Sequence, residues 1–300
     1  MQKIIPNLWF NGNAEEAVAF YLDSFGNGEI VETIHYPSSS EEGLADFQLD
    51  FAGKVLSIDF RLGGFSFTAI NAGSEFRPNP AISMMVRFHP ESHENARDNL
   101  TQLWNKLIDG GNALMQIGEY DFSEHYGWVE DKYGVNWQLL LSGADDEPRP
   151  FIHPSLMFAG AHLGESSQAR EYYVSVFDDS RLGDAYEYPE TTENFTRGHL
   201  MFSEVVLAGQ WFAMNDGGPK QEFTFTEGVS LAVTCKDQNE IDYLWSKLSS
   251  VPEAEQCGWC KDKFGVSWQI IPENMGELMQ SPDAYKIMME QKKIVISDYK

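Results

Sequence analysis

The chain has 300 residues, room for two domains of ordinary size, and its 42% hydrophobic and 13% aromatic content excludes a disordered polypeptide. Its 46 acidic against 21 basic residues give a formal net charge of -25, which repels phosphate backbones and anionic membranes. No apolar run approaches the roughly 18 residues of a membrane span, and the N-terminus lacks a basic-then-apolar signal pattern. The expectation is a cytoplasmic protein that engages neither nucleic acid nor membrane.

Ile4 to Phe10 reads as a strand, stopped by Asn11-Gly12-Asn13. A helix begins at Asn13 or Ala14, with Glu15 and Glu16 in its first turn and Ala17, Phe20, Tyr21 and Phe25 at helical spacing. Gly26-Asn27-Gly28 ends it. Strand-like runs follow at 29–36, 45–51 and 55–71, the last split at Gly63-Gly64. Residues 82–88 form the next strand. Residues 94–108 are amphipathic, with Leu100, Leu103, Trp104, Leu107 and Ile108 on one face, and Gly110-Gly111 stops them. Strands around 113–117, 126–130 and 135–141 complete the first half. Strand, helix and three strands, taken twice, give two βαβββ modules.

The second half repeats the first. Residues 127–139 return as 258–270 with the same Gly, Trp, Asp, Lys, Gly, Val, Trp and Gln, and with Tyr133 exchanged for Phe264 and Asn136 for Ser267. Leu8-Trp9-Phe10 matches Leu156-Met157-Phe158, residues 67–71 match 211–215, and 103–107 match 244–248, all in the same order. The fold class is therefore α+β, with tandem domains at 1–142 and 152–280. A Gly-, Pro- and charge-rich linker at 143–151 joins them, and a helical tail at 281–300 follows.

Leu8-x-Phe10-Asn11-Gly12-Asn13-Ala14-Glu15-Glu16-Ala17-x-x-Phe20-Tyr21, then Phe25-Gly26, resembles the opening of the PhnB-like branch of the glyoxalase/bleomycin-resistance/dioxygenase (vicinal oxygen chelate) superfamily. Residues 131–138 resemble that branch's closing motif, and 288–294 its C-terminal segment. The branch is also described as 3-demethylubiquinone methyltransferase-like. The resemblance implies paired modules with concave mixed sheets. In metal-dependent members, first strands supply a His or similar ligand and last strands a Glu. Laid on this chain, that pattern falls on Pro6 and Pro154, Phe67 and Trp211, Ala81 and Gly228, and Gln138 and Gln269. None is a good ligand, and His153 is the one imidazole nearby.

The site expected from this pattern takes apolar groups from Leu8, Phe10, Phe67, Leu156, Phe158 and Trp211. Its polar groups are Asn71, Ser83, Gln138, Asn215, Ser230 and Gln269. It holds a small organic ligand with no metal and no cofactor. The alternatives are a metal-dependent lyase, isomerase or dioxygenase, and an inactive scaffold whose fused copies mimic a dimer. The assembly expected is a monomer with pseudo-dimeric domains or a homodimer. No Gly-x-Gly-x-Gly turn opens a helix after a strand, so nothing marks a nucleotide or S-adenosylmethionine site. Cys257-Gly258-Trp259-Cys260 has redox spacing but falls in a strand, where residues three apart face opposite sides.

Overall fold

The computed structural model describes residues 2–281 and 283–299. Module one comprises β1 (Ile4–Phe10), α1 (Ala14–Phe25), β2 (Gly28–His35), β3 (Val55–Leu62) and β4 (Phe65–Asn71). Module two comprises β5 (Ile82–Phe88), α2 (Ala96–Leu107), β6 (Asn112–Tyr120), β7 (Ser123–Glu130) and β8 (Asn136–Leu141). Module three repeats the plan with β9 (Ile152–Phe158), α3 (Ser166–Val176), β10 (Arg181–Glu187), β11 (Leu200–Leu207) and β12 (Gln210–Asp216). Module four is shorter: β13 (Val229–Cys235), α4 (Gln238–Leu248), β14 (Trp259–Lys261) and β15 (Ser267–Pro272). The fold is α+β, as the periodicity implied. One expected strand fails: residues 46–51 form a 3-10 helix. Its apolar residues Phe47 and Leu49 alternate as a strand's would, but they are exposed, so no sheet face selects the extended form.

The two halves repeat in sequence but interlock in space. The seven-stranded sheet runs β14-β15-β13-β1-β4-β3-β2, and the eight-stranded sheet runs β10-β11-β12-β9-β5-β8-β7-β6. Module one therefore shares a sheet with module four, and module two with module three. The seams are antiparallel: Asn7 stands opposite Ser230 where β1 meets β13, and Ser83 opposite Ser155 where β5 meets β9. Each concave face thus takes one module from each half, rather than both modules of one half.

Alternation along the strands divides the side chains. Ile4, Leu8, Phe10, Phe67, Met84, Trp137, Leu156, Phe158, Phe212, Leu231 and Trp268 point into one continuous core shared with the helices. What ties the modules of one half together is the duplicated motif. Asp131 Oδ1 accepts the backbone N–H groups of Tyr133 (2.8 Å) and Val135 (3.1 Å), and Oδ2 accepts Trp137 Nε1–H at 2.9 Å. Asp262 makes the same three bonds, to Phe264 (2.8 Å), Val266 (3.1 Å) and Trp268 (2.8 Å). It accepts a fourth from the Tyr173 hydroxyl of α3 at 2.7 Å. Gly134 and Gly265 turn the chain with φ of 89° and 83°, a region open to glycine. Lys132 lies 4.8 Å from the Phe20 ring centroid of α1, and Lys263 lies 4.0 Å from that of Tyr172 in α3. The repeat is a clamp between a helix and the last strand of the next module.

Burial pushes the Asp131 carboxyl up to about 6, against the lowering effect of its hydrogen bonds. A raised carboxyl binds its proton more tightly in the folded chain than in the unfolded one. Its stabilising contribution is complete below about pH 4 and is lost as pH rises through about 6. The rise above the ordinary carboxylate value, taken as a free energy, is about 3 kcal/mol. Urea melts at pH 5 and pH 7 should therefore show a steeper fall for the natural chain than for Asp131→Asn. Equal falls would dismiss the assignment.

The tail comprises α5 (Met275–Leu278) and α6 (Ala284–Glu290) and ends in a 3-10 turn at Ile296–Tyr299. The Gln291 and Lys292 carbonyls accept the backbone N–H groups of Cys257 and Gly258, both at 2.7 Å. Tyr285 packs in a cluster with Tyr36 and Leu44 and donates to Gln48 at 3.0 Å. The tail thus straps module four to module one. Burial raises the Cys257 thiol to about 11 and drives Cys260 higher still, so neither is a ready thiolate. Among the described residues, no helix is long and apolar enough to cross a membrane.

Candidate functional site

The strand registers bring matching positions together at the centre of each concave face. In the eight-stranded sheet, one row runs Trp128–Gln138–Met85–His153, and the adjacent row runs Ser83–Ser155–Ala213–Glu204. In the seven-stranded sheet the rows are Trp259–Gln269–Ala232–Ile5 and Ser230–Asn7–Thr68–Asp59. The two faces correspond residue for residue, so the sequence repeat becomes a repeat of site geometry.

Gln138 is the centre of the first. It accepts from the Tyr126 hydroxyl at 2.7 Å through Oε1 and donates to Ser83 Oγ at 2.8 Å through Nε2. Gln269 donates to Ser230 Oγ at 2.9 Å in the second. Cys257 replaces Tyr126 there and supplies no such donor. Beyond Ser155, Glu204 is 5% exposed and holds two guanidiniums. Arg87 reaches its Oε1 at 2.9 Å, and Arg149 grips Oε2 through Nε (3.1 Å) and Nη2 (2.9 Å). Arg149 also stacks over Trp211, 4.2 Å from the ring centroid. In the seven-stranded sheet the Glu204 position is taken by Asp59, which accepts from Thr68 Oγ1 at 2.6 Å. Burial, first among the causes, raises the Asp59 carboxyl.

Of the residues expected from sequence, Ser83, Gln138, Ser230 and Gln269 stand on the concave faces in hydrogen-bonded pairs. Trp211 and Asn215 alternate with core-facing Phe212 and Met214, so they also take the concave side. Leu8, Phe10, Phe67, Leu156 and Phe158 do not: all are buried in the helix-facing core. A sheet covered on both faces is apolar on both, and alternation does not say which apolar set faces the helices. Asn71 is also on the helix side, where its Oδ1 accepts Ala14 N–H at 2.9 Å and caps α1. Its structural counterpart is Asp216, which accepts Gly164 N–H and Ser166 N–H at the start of α3. Phe10 pairs with Asn71 and Phe158 with Asp216, so the match of 67–71 to 211–215 is one residue out. Such a slip exchanges the faces.

The same slip affects the expected metal positions. The concave neighbours are Asn7 and Ser155 rather than Pro6 and Pro154, and Thr68 rather than Phe67, while Trp211 is concave but two residues from Ala213, the partner of Ser155. Ser83 and Ser230 take the places given to Ala81 and Gly228. Among the described residues, no three His, Cys, Asp or Glu side chains gather where an ion could be held. Hydroxyls and neutral amides at these places are a poor donor set for a transition metal, so the superfamily's metal does not fit.

His153, Glu204, Arg87 and Arg149 complete the polar lining of the eight-stranded sheet. His153 carries a sequence signal, being the imidazole beside Pro154. The other three lie far apart in a chain crowded with carboxylates and carry none. Two surface clefts lie away from the concave centres. One of about 500 Å³ is bounded by Lys3, Phe177, Asp237 and Tyr243, and one of about 240 Å³ by Glu15, His35, Lys54 and Asn71.

A family model described as 3-demethylubiquinone-9 3-methyltransferase matches residues 2–140 and 150–271. No curated protein matches. Among solved structures, the PhnB protein from Bacillus cereus shares 35% identity over 47% of this chain and 100% of its own, with a TM-score of 0.39. Glyoxalase I from Zea mays shares 9% identity over 94% of this chain and 95% of its own, with a TM-score of 0.56. That likeness shows the fold alone.

Proposed function

The chain belongs to the 3-demethylubiquinone-9 3-methyltransferase family, and from this premise we propose metal-independent binding of a small organic molecule. The eight-stranded sheet's concave face is the site. The observation that carries the reading is the donor set. Positions that would hold an ion carry Ser83, Ser155, Ala213 and Gln138, and Gln138 is already fixed by Tyr126 and Ser83. An amide locked between a phenol and a serine hydroxyl presents fixed hydrogen-bonding groups, the kind that orient a neutral or weakly charged ligand in an aromatic-walled site. Tyr126, Trp128 and Met157 form that wall, with Phe223 and Met115 packed against them.

Elemental analysis of dialysed protein, followed by calorimetric titration with zinc, nickel, iron(II) and manganese, tests the reading. The expected result is less than about a tenth of an equivalent of any metal, together with thermal stabilisation by some members of a small-organic library. Stoichiometric, tight uptake of one metal would refute it.

A further inference from the structure

We propose that the concave face of the eight-stranded sheet is made for a flat aromatic molecule bearing oxygen acceptors, an aromatic carboxylate or ketone, bound through Trp128, His153 and Ser83. This rests on the reading above and names its ligand class.

The two concave faces share a plan, yet their unspent hydrogen-bonding capacity differs. In the seven-stranded sheet's central rows, the buried side-chain atom without a partner is an acceptor, Asn7 Oδ1. In the eight-stranded sheet they include one acceptor, Asn136 Oδ1 beside Ser83, but also Trp128 Nε1 and both ring nitrogens of His153, with Arg87 Nε further along the face. Trp128 is 7% exposed and His153 2%. An indole N–H and a guanidinium N–H only donate, and a neutral imidazole donates from one nitrogen. Burial and the charge of Arg87 push His153 down to about 3, against the pull of the Pro150 carbonyl near its ring, so the ring is neutral at physiological pH and its nitrogen turned from Pro150 is the one left for a ligand. Ser83 accepts from Gln138, and among the described residues its hydroxyl donates to no protein group. Unpaired buried donors each carry a desolvation cost that a ligand's acceptors remove.

The spacing and walls fix the shape. Trp128 and His153 end one row separated by three strand spacings, about 14 Å, the reach of a two- or three-ring system and its substituents. Tyr126 lies edge-on to Tyr120 and Phe122, and Met115 and Met157 flank the same cluster. Aromatic edges and thioethers favour a planar π-face. Phe223 closes the cluster from the strandless stretch 217–228, so it is the side chain a ligand displaces. The corresponding place in the other sheet has Ile5 for His153 and Trp9 for Met157, and Trp9 sits 6.0 Å from Trp259 across the row. That face does not offer the imidazole.

The test uses full-length protein and three matched probes substituted at both ends: 2,6-naphthalenedicarboxylate, 2,6-diacetylnaphthalene and 2,6-bis(aminomethyl)naphthalene. Calorimetry gives Kd, and the indole N–H resonance assigned through Trp128→Phe reports the site. The dicarboxylate, the diketone or both should bind and shift that resonance, the pair showing whether charge or only an oxygen acceptor is required. The amine should bind at least tenfold more weakly. Trp128→Phe and His153→Leu should each weaken binding about tenfold, the equivalent of one hydrogen bond. If the leucine variant does not fold, Ser83→Ala, which removes only a hydroxyl, takes its place with a smaller loss. Equal binding of the amine, unchanged Kd in the variants, or no binding of either oxygenated probe at millimolar concentration overturns the assignment. None of these outcomes bears on metal uptake, so the metal-free reading stands or falls separately.

Discussion

Replacing Asp262 by alanine should cost at least about 4 kcal/mol, because it strands four buried donors at once and each is worth about 1 kcal/mol or more. Those donors are the Phe264 and Val266 backbone N–H groups, the Trp268 indole and the Tyr173 hydroxyl. Asp262 is 1% exposed, so water does not replace them without opening the core. A loss of that size is a large part of an ordinary domain's stability. The comparison with the first copy sharpens the prediction. Asp131 accepts three donors and holds the Tyr21 hydroxyl, the counterpart of Tyr173, more loosely, so Asp131→Ala should lose less. Asp262→Asn should fall between, since its amide oxygen keeps the two backbone bonds while its NH2 faces the indole N–H. Urea melts followed by tryptophan fluorescence read the order directly. An Asp262→Ala chain as stable as the natural one would show that the repeated aspartate is not the clamp.

The second large effect is expected at Glu204. Glu204→Ala leaves the Arg87 and Arg149 guanidiniums together without their anion, and both side chains are only 12% exposed. Breaking a buried ion cluster from one side costs about 3–5 kcal/mol, while replacing all of it by apolar groups of similar size is often neutral. The triple variant Arg87→Met, Glu204→Leu, Arg149→Met should therefore recover most of the loss. Denaturant midpoints of the single and triple variants decide the matter. A single variant within about 1 kcal/mol of the natural chain would mean that solvent, not Glu204, satisfies the arginines. Because Arg149 belongs to the linker and stacks on Trp211, the single change should also alter the Trp211 fluorescence environment.

Much of the fold was legible from residue order. The helix at 14–25, the strands at 4–10 and 82–88, and the Trp–Gln alternation at 137–138 and 268–269 follow from local periodicity and turn chemistry, which the chain carries within a few residues. The same alternation correctly put Gln138 and Gln269 on the concave side and the tryptophans against the helices. The partner of each sheet edge was not legible. Whether β1 joins β13 or β5 depends on contacts across more than two hundred residues, and both pairings present apolar strands. Phe67 and Trp211 show the cost: similar residues, equivalent to the eye, yet one residue out of register and on opposite faces. Glu204 was invisible because it is one of 46 acidic residues, and its distinction lies in two arginines brought from elsewhere.

The crossed sheets have a consequence for divergence. When two identical chains pair, any substitution enters both of their shared faces together, so a change that suits one ligand is imposed on the other surface as well. A duplicated and joined chain is released from that constraint, because each face draws on positions encoded only once. His153 where the other face has Ile5, and Glu204 with its arginines where the other face has Asp59 with a threonine, are what such independence leaves behind. One half of the gene product can specialise while the other keeps the frame.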